Sequence, residues 1–189
     1  VVDMPFNTYR NNKEALQNAK KIISKTKSDA VKLEGGKKII NIIKFLIKNK
    51  IPVMGHLGLL PQSQTGTFRF KGKKNLERNK ILNDAKLLES AGVFSIVLEC
   101  VETSLAKLIT HSIKIPTIGI GASNYCDGQI LVTDDILGMS GFYPKFVKKY
   151  ANINRTIEKA VKKYSKEIKT KVFPKKENSL YDKWTRKKC

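Results

Sequence analysis

Ala30-Val31-Lys32-Leu33-Glu34-Gly35-Gly36 is a short apolar run that carries one lysine, closes on a carboxylate and opens into two glycines. Side chains alternate along a strand, so Lys32 and Glu34 share one face, while Val31 and Leu33 point the other way, toward covering helices. The pattern recurs along the chain. Val1–Val2 precede Asp3, Ile51–Met54 precede Gly55-His56, Phe94–Leu98 precede Glu99, Pro116–Ile120 precede Gly121, and Gln129–Val132 form a last run. Runs this short, mostly rich in valine and isoleucine, suit parallel strands covered on both faces.

Amphipathic helices are predicted between these runs. Residues 13–27 carry Leu16, Ala19, Ile22 and Ile23, with Asn11 and Glu14 set as a capping box. Residues 37–49 carry one wide stripe of Ile39, Ile40, Ile43, Leu46 and Ile47. Residues 76–91 end at Gly92, a helix-stopping glycine. Residues 103–112 and 153–169 complete the set, the last with Ile153, Ile157, Val161, Tyr164 and Ile168 on one side.

Strand, helix, strand, helix is the signature of a parallel α/β fold. Strand ends fall near residues 3, 34, 55, 99, 120 and 133. A (β/α)8 TIM barrel has eight strands. This chain shows six and begins inside one, so the expectation is a barrel missing about its first two βα units. A doubly wound open sheet is the runner-up, but no GxGxxG or Walker-type loop supports it. The barrel domain is expected over residues 1–174, with a basic tail at 175–189 docking through Trp184. The polar loop 57–75 follows a strand end and is a candidate lid or substrate loop.

Composition narrows the function. The chain has 189 residues, 41% of them hydrophobic, enough for one sizeable core. No apolar run approaches the ~18 residues of a membrane span, and no signal peptide is visible. The cysteines, Cys100, Cys126 and Cys189, form no CxxC pair, which suits reduced thiols in the cytoplasm. The net charge of +21 invites a nucleic-acid reading. Yet only Arg10, Arg69, Arg78, Arg155 and Arg186 are arginines among the 37 basic residues, and base readers rely on arginine forks. A solvated lysine coat is expected instead, with no nucleic-acid partner.

In a parallel barrel the C-terminal strand ends hold the chemistry. Those ends carry Asp3, Glu34, His56 and Glu99. Glu99 sits within Ile96-Val97-Leu98-Glu99-Cys100-Val101, where poor solvation favours a proton-accepting role, and a structural carboxylate is the alternative. Asp3 and Glu34 lie on successive strands and could share an oxygen-ligated metal such as magnesium, or cap turns. His56 follows a strand-end glycine and His111 lies on a helix, where a structural role is expected. Gly119-Ile120-Gly121-Ala122 would allow close backbone approach to a ligand.

Taken together, Asp3-Met4-Pro5-Phe6, VKLEGG (31–36), PVMGHLGLLPQS (52–63), IVLECV (96–101), IPTIGIGAS (115–123) and CDGQILV (126–132) resemble the ketopantoate hydroxymethyltransferase family. Their order and spacing make the resemblance specific, and it extends to about residue 174. It implies a (β/α)8 barrel assembled into homo-oligomers, commonly decamers. It implies transfer of a one-carbon unit from 5,10-methylenetetrahydrofolate to 3-methyl-2-oxobutanoate in pantothenate synthesis, releasing tetrahydrofolate, with magnesium chelating the oxo acid. By position, Asp3 matches a metal-ligand aspartate that also faces substrate, and Glu34 an acid of the metal shell. Lys32 matches the lysine on the substrate carboxylate, Glu99 the proton acceptor, and His56 a residue lining the substrate pocket.

The chain also departs from the family pattern. A VGDS-type strand, with a further metal-ligand aspartate and a substrate-contacting serine, is not in it. The GGYKVQG-like loop reads Gly66-Thr67-Phe68-Arg69-Phe70-Lys71-Gly72, Asp134 stands in a histidine place, and Ser123 replaces a glycine. The alternative expectation is therefore a truncated, inactive remnant acting only as a binding or assembly partner.

Overall fold

The structure is a computed structural model that describes residues 1–63 and 69–180. The chain divides into two compact units, Val1–Leu131 and the residues from Val132 on. The first unit alternates β1 (Val2–Asp3), α1 (Asn12–Thr26), β2 (Val31–Glu34), α2 (Ile40–Lys48), β3 (Val53–Gly58), α3 (Asn75–Ala91), β4 (Ser95–Glu99), α4 (Thr103–Ser112), β5 (Thr117–Ile120) and β6 (Gly128–Gln129).

Every strand pairs in parallel with the next in sequence, giving the order β1-β2-β3-β4-β5-β6. A doubly wound sheet reverses its strand order at a switch point. This one advances in a single direction, as a barrel does, and constitutes a partial (β/α)8 barrel.

Alternation along the strands sorts the side chains as anticipated. Val31 and Leu33 of β2, Val53 of β3, and Ile96 and Leu98 of β4 are fully buried. Ala15, Ala19, Ile43, Leu46, Ala85, Leu88, Leu105 and Ile109, on the helices, join them in one core. Each large side chain so buried contributes roughly 1.5–3 kcal/mol. The helix ends follow local chemistry. Asn11 accepts the Glu14 N–H at 2.9 Å to start α1, and Gly92 takes a left-handed φ of 92° to stop α3.

Several boundaries differ from expectation. Strand β3 runs on to Gly58, because Gly58 pairs with Glu99. Strand β6 is Gly128–Gln129 rather than 129–132. The following residues instead form α5 (Thr133–Leu137), which the short apolar run concealed. Asp134 and Asp135 in its first turn complement the helix dipole, and Gly138 caps it at φ 73°, so the signal was present.

In the second unit, α6 (Ile153–Lys169) forms where the periodicity places it, with Asn152 accepting the Arg155 N–H at 3.3 Å. Ile157, Val161, Tyr164 and Ile168 remain exposed along it, and the Tyr164 ring meets Phe173 edge-on at 5.6 Å. The tail expected at 175–189 begins with a 3-10 turn, Lys176–Asn178, whereas residues 181–189, with Trp184 and Cys189, lie outside the described residues. Among the described residues no helix is long and apolar enough to cross a membrane.

Candidate active site

Strand register brings together the residues singled out by sequence. Asp3 pairs with Lys32 across β1 and β2, Glu34 with His56 across β2 and β3, and Gly58 with Glu99 across β3 and β4. These positions are the C-terminal ends of four adjacent parallel strands, the working face of the fold.

The side chains make a connected row. Lys32 Nζ lies 3.0 Å from Asp3 Oδ1 and 3.0 Å from His56 Nδ1. On the other side of the imidazole, Nε2 lies 3.3 Å from Glu99 Oε2. His56 is 2% exposed and Glu34 8%, whereas the Asp3 side chain is 51% exposed. The row therefore runs from a solvent-facing acid to a largely enclosed one. Burial pushes the Glu34 carboxyl above its ordinary value; His56 when protonated, the Gln62 N–H and Lys32 pull it back, and the charge of Glu99 adds to the rise.

Asp3 and Glu34 are the carboxylates that could hold a metal. Each uses one oxygen internally, Asp3 Oδ1 on Lys32 and Glu34 Oε2 on the Gln62 N–H at 3.2 Å. Among the described residues no hydrogen bond falls on the second oxygen of either. No three His, Cys, Asp or Glu side chains gather into one metal-binding group among the described residues. Two carboxylates completed by water or a chelating ligand are a donor set that magnesium accepts.

Glu99 is held by its surroundings. The chain bends sharply after it, with Cys100 at φ 50°, a left-handed conformation uncommon outside glycine. Backbone bonds from Cys100 N to Ile120 O at 2.9 Å and from Lys71 N to Cys100 O at 2.8 Å fix that bend. Gly58, at φ +96°, leaves room for the Glu99 carbonyl, which a Cβ there would strike. Leu59 N then donates to that carbonyl at 2.8 Å. The adjacent Cys100 thiol is pushed up to about 11, first by burial and then by the charge of Glu99, so it stays protonated and unreactive.

Sequence reasoning missed three contributors. Tyr9 stands near both metal-shell candidates: burial raises its hydroxyl most, and the charges of Glu34 and Asp3 add to that, against a hydrogen bond with the Glu34 backbone. Gln62, within the predicted 57–75 lid loop, bonds Glu34 through its backbone, a contact no side-chain pattern reveals. Residues 64–68 of that loop lie outside the described residues. Asp84 of α3 is 5% exposed and accepts the Lys37 N–H at 2.9 Å, just past the glycines that follow Glu34. An acid on the apolar side of an amphipathic helix was the available signal for it.

A cavity of about 480 Å³ lies beside Glu34, lined also by Phe6, Tyr9, Arg10, Lys37 and Ser63. Of the strand-end residues Asp3, Lys32, Glu34, His56 and Glu99, only Glu34 lines it. In the glycine turn at 119–122, a Cβ on Gly119 would press on the Gln129 amide and Cys126 Sγ. His111 is exposed on α4, with Nδ1 2.8 Å from the Lys107 carbonyl, in keeping with a structural role.

Comparison with known proteins bears on what this face does. The family profile described as Ketopantoate hydroxymethyltransferase matches residues 1–176. The 3-methyl-2-oxobutanoate hydroxymethyltransferase of Pelagibacter ubique (strain HTCC1062) is 67% identical over 179 residues, covering 95% of this chain and 69% of that protein. Proteins of the same name from Anaplasma marginale (strain Florida) and Thermoanaerobacter sp. (strain X514) are each 50% identical over 184 residues. The chain spans 66% and 67% of their respective lengths.

Proposed function

The chain belongs to the ketopantoate hydroxymethyltransferase family, and from that premise we propose that it takes part in moving a one-carbon unit from 5,10-methylenetetrahydrofolate to 3-methyl-2-oxobutanoate. The product would be ketopantoate, a precursor in pantothenate synthesis, with water supplying its new hydroxyl and tetrahydrofolate leaving. The observation that carries this reading is the row Asp3–Lys32–His56–Glu99, with Glu34 beside it, on adjacent strand ends.

The reaction must remove a proton from the carbon next to a ketone, then present that carbon to the one-carbon donor. Magnesium between Asp3 and Glu34 would act as a Lewis acid on the ketone oxygen. Lys32 would turn from Asp3 to the substrate carboxylate, a point charge meeting a point charge. Glu99 would accept the proton, its side chain 16% exposed and fixed in place by the bend at Cys100. With the oxo acid held at both ends, its branched carbon faces the incoming folate, which carries the one-carbon chemistry itself. A cytoplasmic location and a homo-oligomer, a decamer by family precedent, belong to the same proposal.

The test is magnesium-dependent exchange of deuterium into the branched carbon of 3-methyl-2-oxobutanoate, which isolates the enolising half-reaction from folate. It would be run on this chain and on the chain extended to the length of its relatives. Exchange is expected with magnesium, falling by about 100-fold or more in Glu99→Gln. Full exchange in Glu99→Gln would sink the assignment, and no exchange at either length would favour a binding remnant.

A further inference from the structure

We infer that His56 is the positioning residue of Glu99, held as its Nε2–H tautomer by the ammonium of Lys32. This rests on the assignment of Glu99 as proton acceptor. The argument is one of donors and acceptors. Lys32 Nζ lies 3.0 Å from His56 Nδ1 and carries only donors. Nδ1 must therefore offer its lone pair. The ring proton then resides on Nε2, which faces Glu99 Oε2 at 3.3 Å.

Among the described residues nothing else competes for that proton. His56 is 2% exposed, and its Nε2 is buried without a hydrogen bond of regular geometry. The 3.3 Å separation from Glu99 Oε2 is already within reach, so the contact lacks only alignment. Once aligned, it fixes one carboxylate oxygen and leaves the other to meet substrate. The His56 backbone is held where its carbonyl accepts the Gly35 N–H at 3.0 Å, and the ring is enclosed between Lys32 and Glu99. Both ring nitrogens face protein groups, which assigns His56 to the enzyme's own base rather than to the oxo acid. Lys32 thereby has a second duty, setting the proton of the residue that aims Glu99.

The chain has just two histidines, and they should hold opposite tautomers. His111 Nδ1 faces the Lys107 carbonyl at 2.8 Å and must donate. Long-range proton–nitrogen correlation spectra of the imidazoles of the whole chain read this directly, without substrate or activity. The expected result is Nε2–H at His56 and Nδ1–H at His111. A His56 ring protonated at Nδ1, alone or together with Nε2, would overturn the inference.

Kinetics in the deuterium-exchange assay supply the second arm. His56→Leu should lower kcat by roughly 100-fold, the scale of an ångström misplacement, with KM for the oxo acid nearly unchanged. His56→Gln, which restores an N–H donor, should recover about tenfold of that loss. A raised KM with kcat intact would place His56 on substrate and overturn the inference. Exchange that survives Glu99→Gln removes the proposed function, whereas exchange lost in Glu99→Gln but untouched in His56→Leu removes this inference alone.

Discussion

The carboxylate of Asp84 fills the space that a side chain on Gly36 would need. Asp84 lies on α3 and Gly36 two residues past Glu34, so α3 holds the turn that follows a metal-shell candidate. The carboxylate accepts the Lys37 N–H at 2.9 Å and pairs with Lys80 at 3.5 Å, which accounts for an acid that is 5% exposed.

Gly36→Ala should therefore be costly for steric reasons. The new methyl group would overlap Asp84 Cγ, Oδ2 and Cβ. Forcing Asp84 aside would strain the packing by roughly 1–3 kcal/mol and break the bond to Lys37. Urea unfolding would read the loss as a lower midpoint, and an unmoved midpoint would show that α3 gives way freely.

Glu102 ties stability to pH. It accepts N–H bonds from Ser104 at 3.1 Å and Leu105 at 3.0 Å at the start of α4. The Ser104 hydroxyl, the Ser104 and Leu105 N–H groups and the Arg78 guanidinium together hold its pKa down at about 2. A lowered folded-state pKa contributes stability that is complete above the unfolded value, near 4.5, and is lost as pH falls toward about 2. Glu102→Ala should cost about 1 kcal/mol at neutral pH, the scale of a lost N-cap. The gap between the two proteins should narrow through that acid window in thermal melts, and a gap constant down to pH 2 would remove the role.

Lys32→Met should weaken 3-methyl-2-oxobutanoate binding by roughly 10–100-fold, the value of one charged hydrogen bond. Because Lys32 also touches Asp3 and His56, kcat should fall with it. An unchanged KM would take Lys32 off the substrate carboxylate.

Two leucines offer a check on the core. Leu98 of β4 is fully buried, whereas Leu76 on α3 is 87% exposed. Leu98→Ala should lose about 2–5 kcal/mol, and Leu76→Ala less than about 0.5 kcal/mol. Comparable losses at both would contradict the packing described.

Much of this was legible in the chain because it is local. Period-two alternation placed Lys32 and Glu34 on one face and Val31 and Leu33 on the other, as β2 has them. Asn11 and Gly92 marked helix ends through their own side-chain and backbone chemistry. The sixth strand was misjudged because a short apolar run reads alike in a strand end and in the approach to a helix, and α5 follows it.

By itself, then, the sequence determined a parallel α/β chain with acids, a lysine and a histidine at successive strand ends, since each follows from neighbours a few residues apart. Only the tertiary structure decided which of those groups touch. Lys32 reaches His56 from 24 positions away, and Asp84 reaches Lys37 from 47. Such contacts depend on strand register, helix placement and rotamer, which are settled by packing the whole core. The histidine that opened as a pocket residue of unspecified duty gains its orientation from that packing, between a cation on one side and a carboxylate on the other.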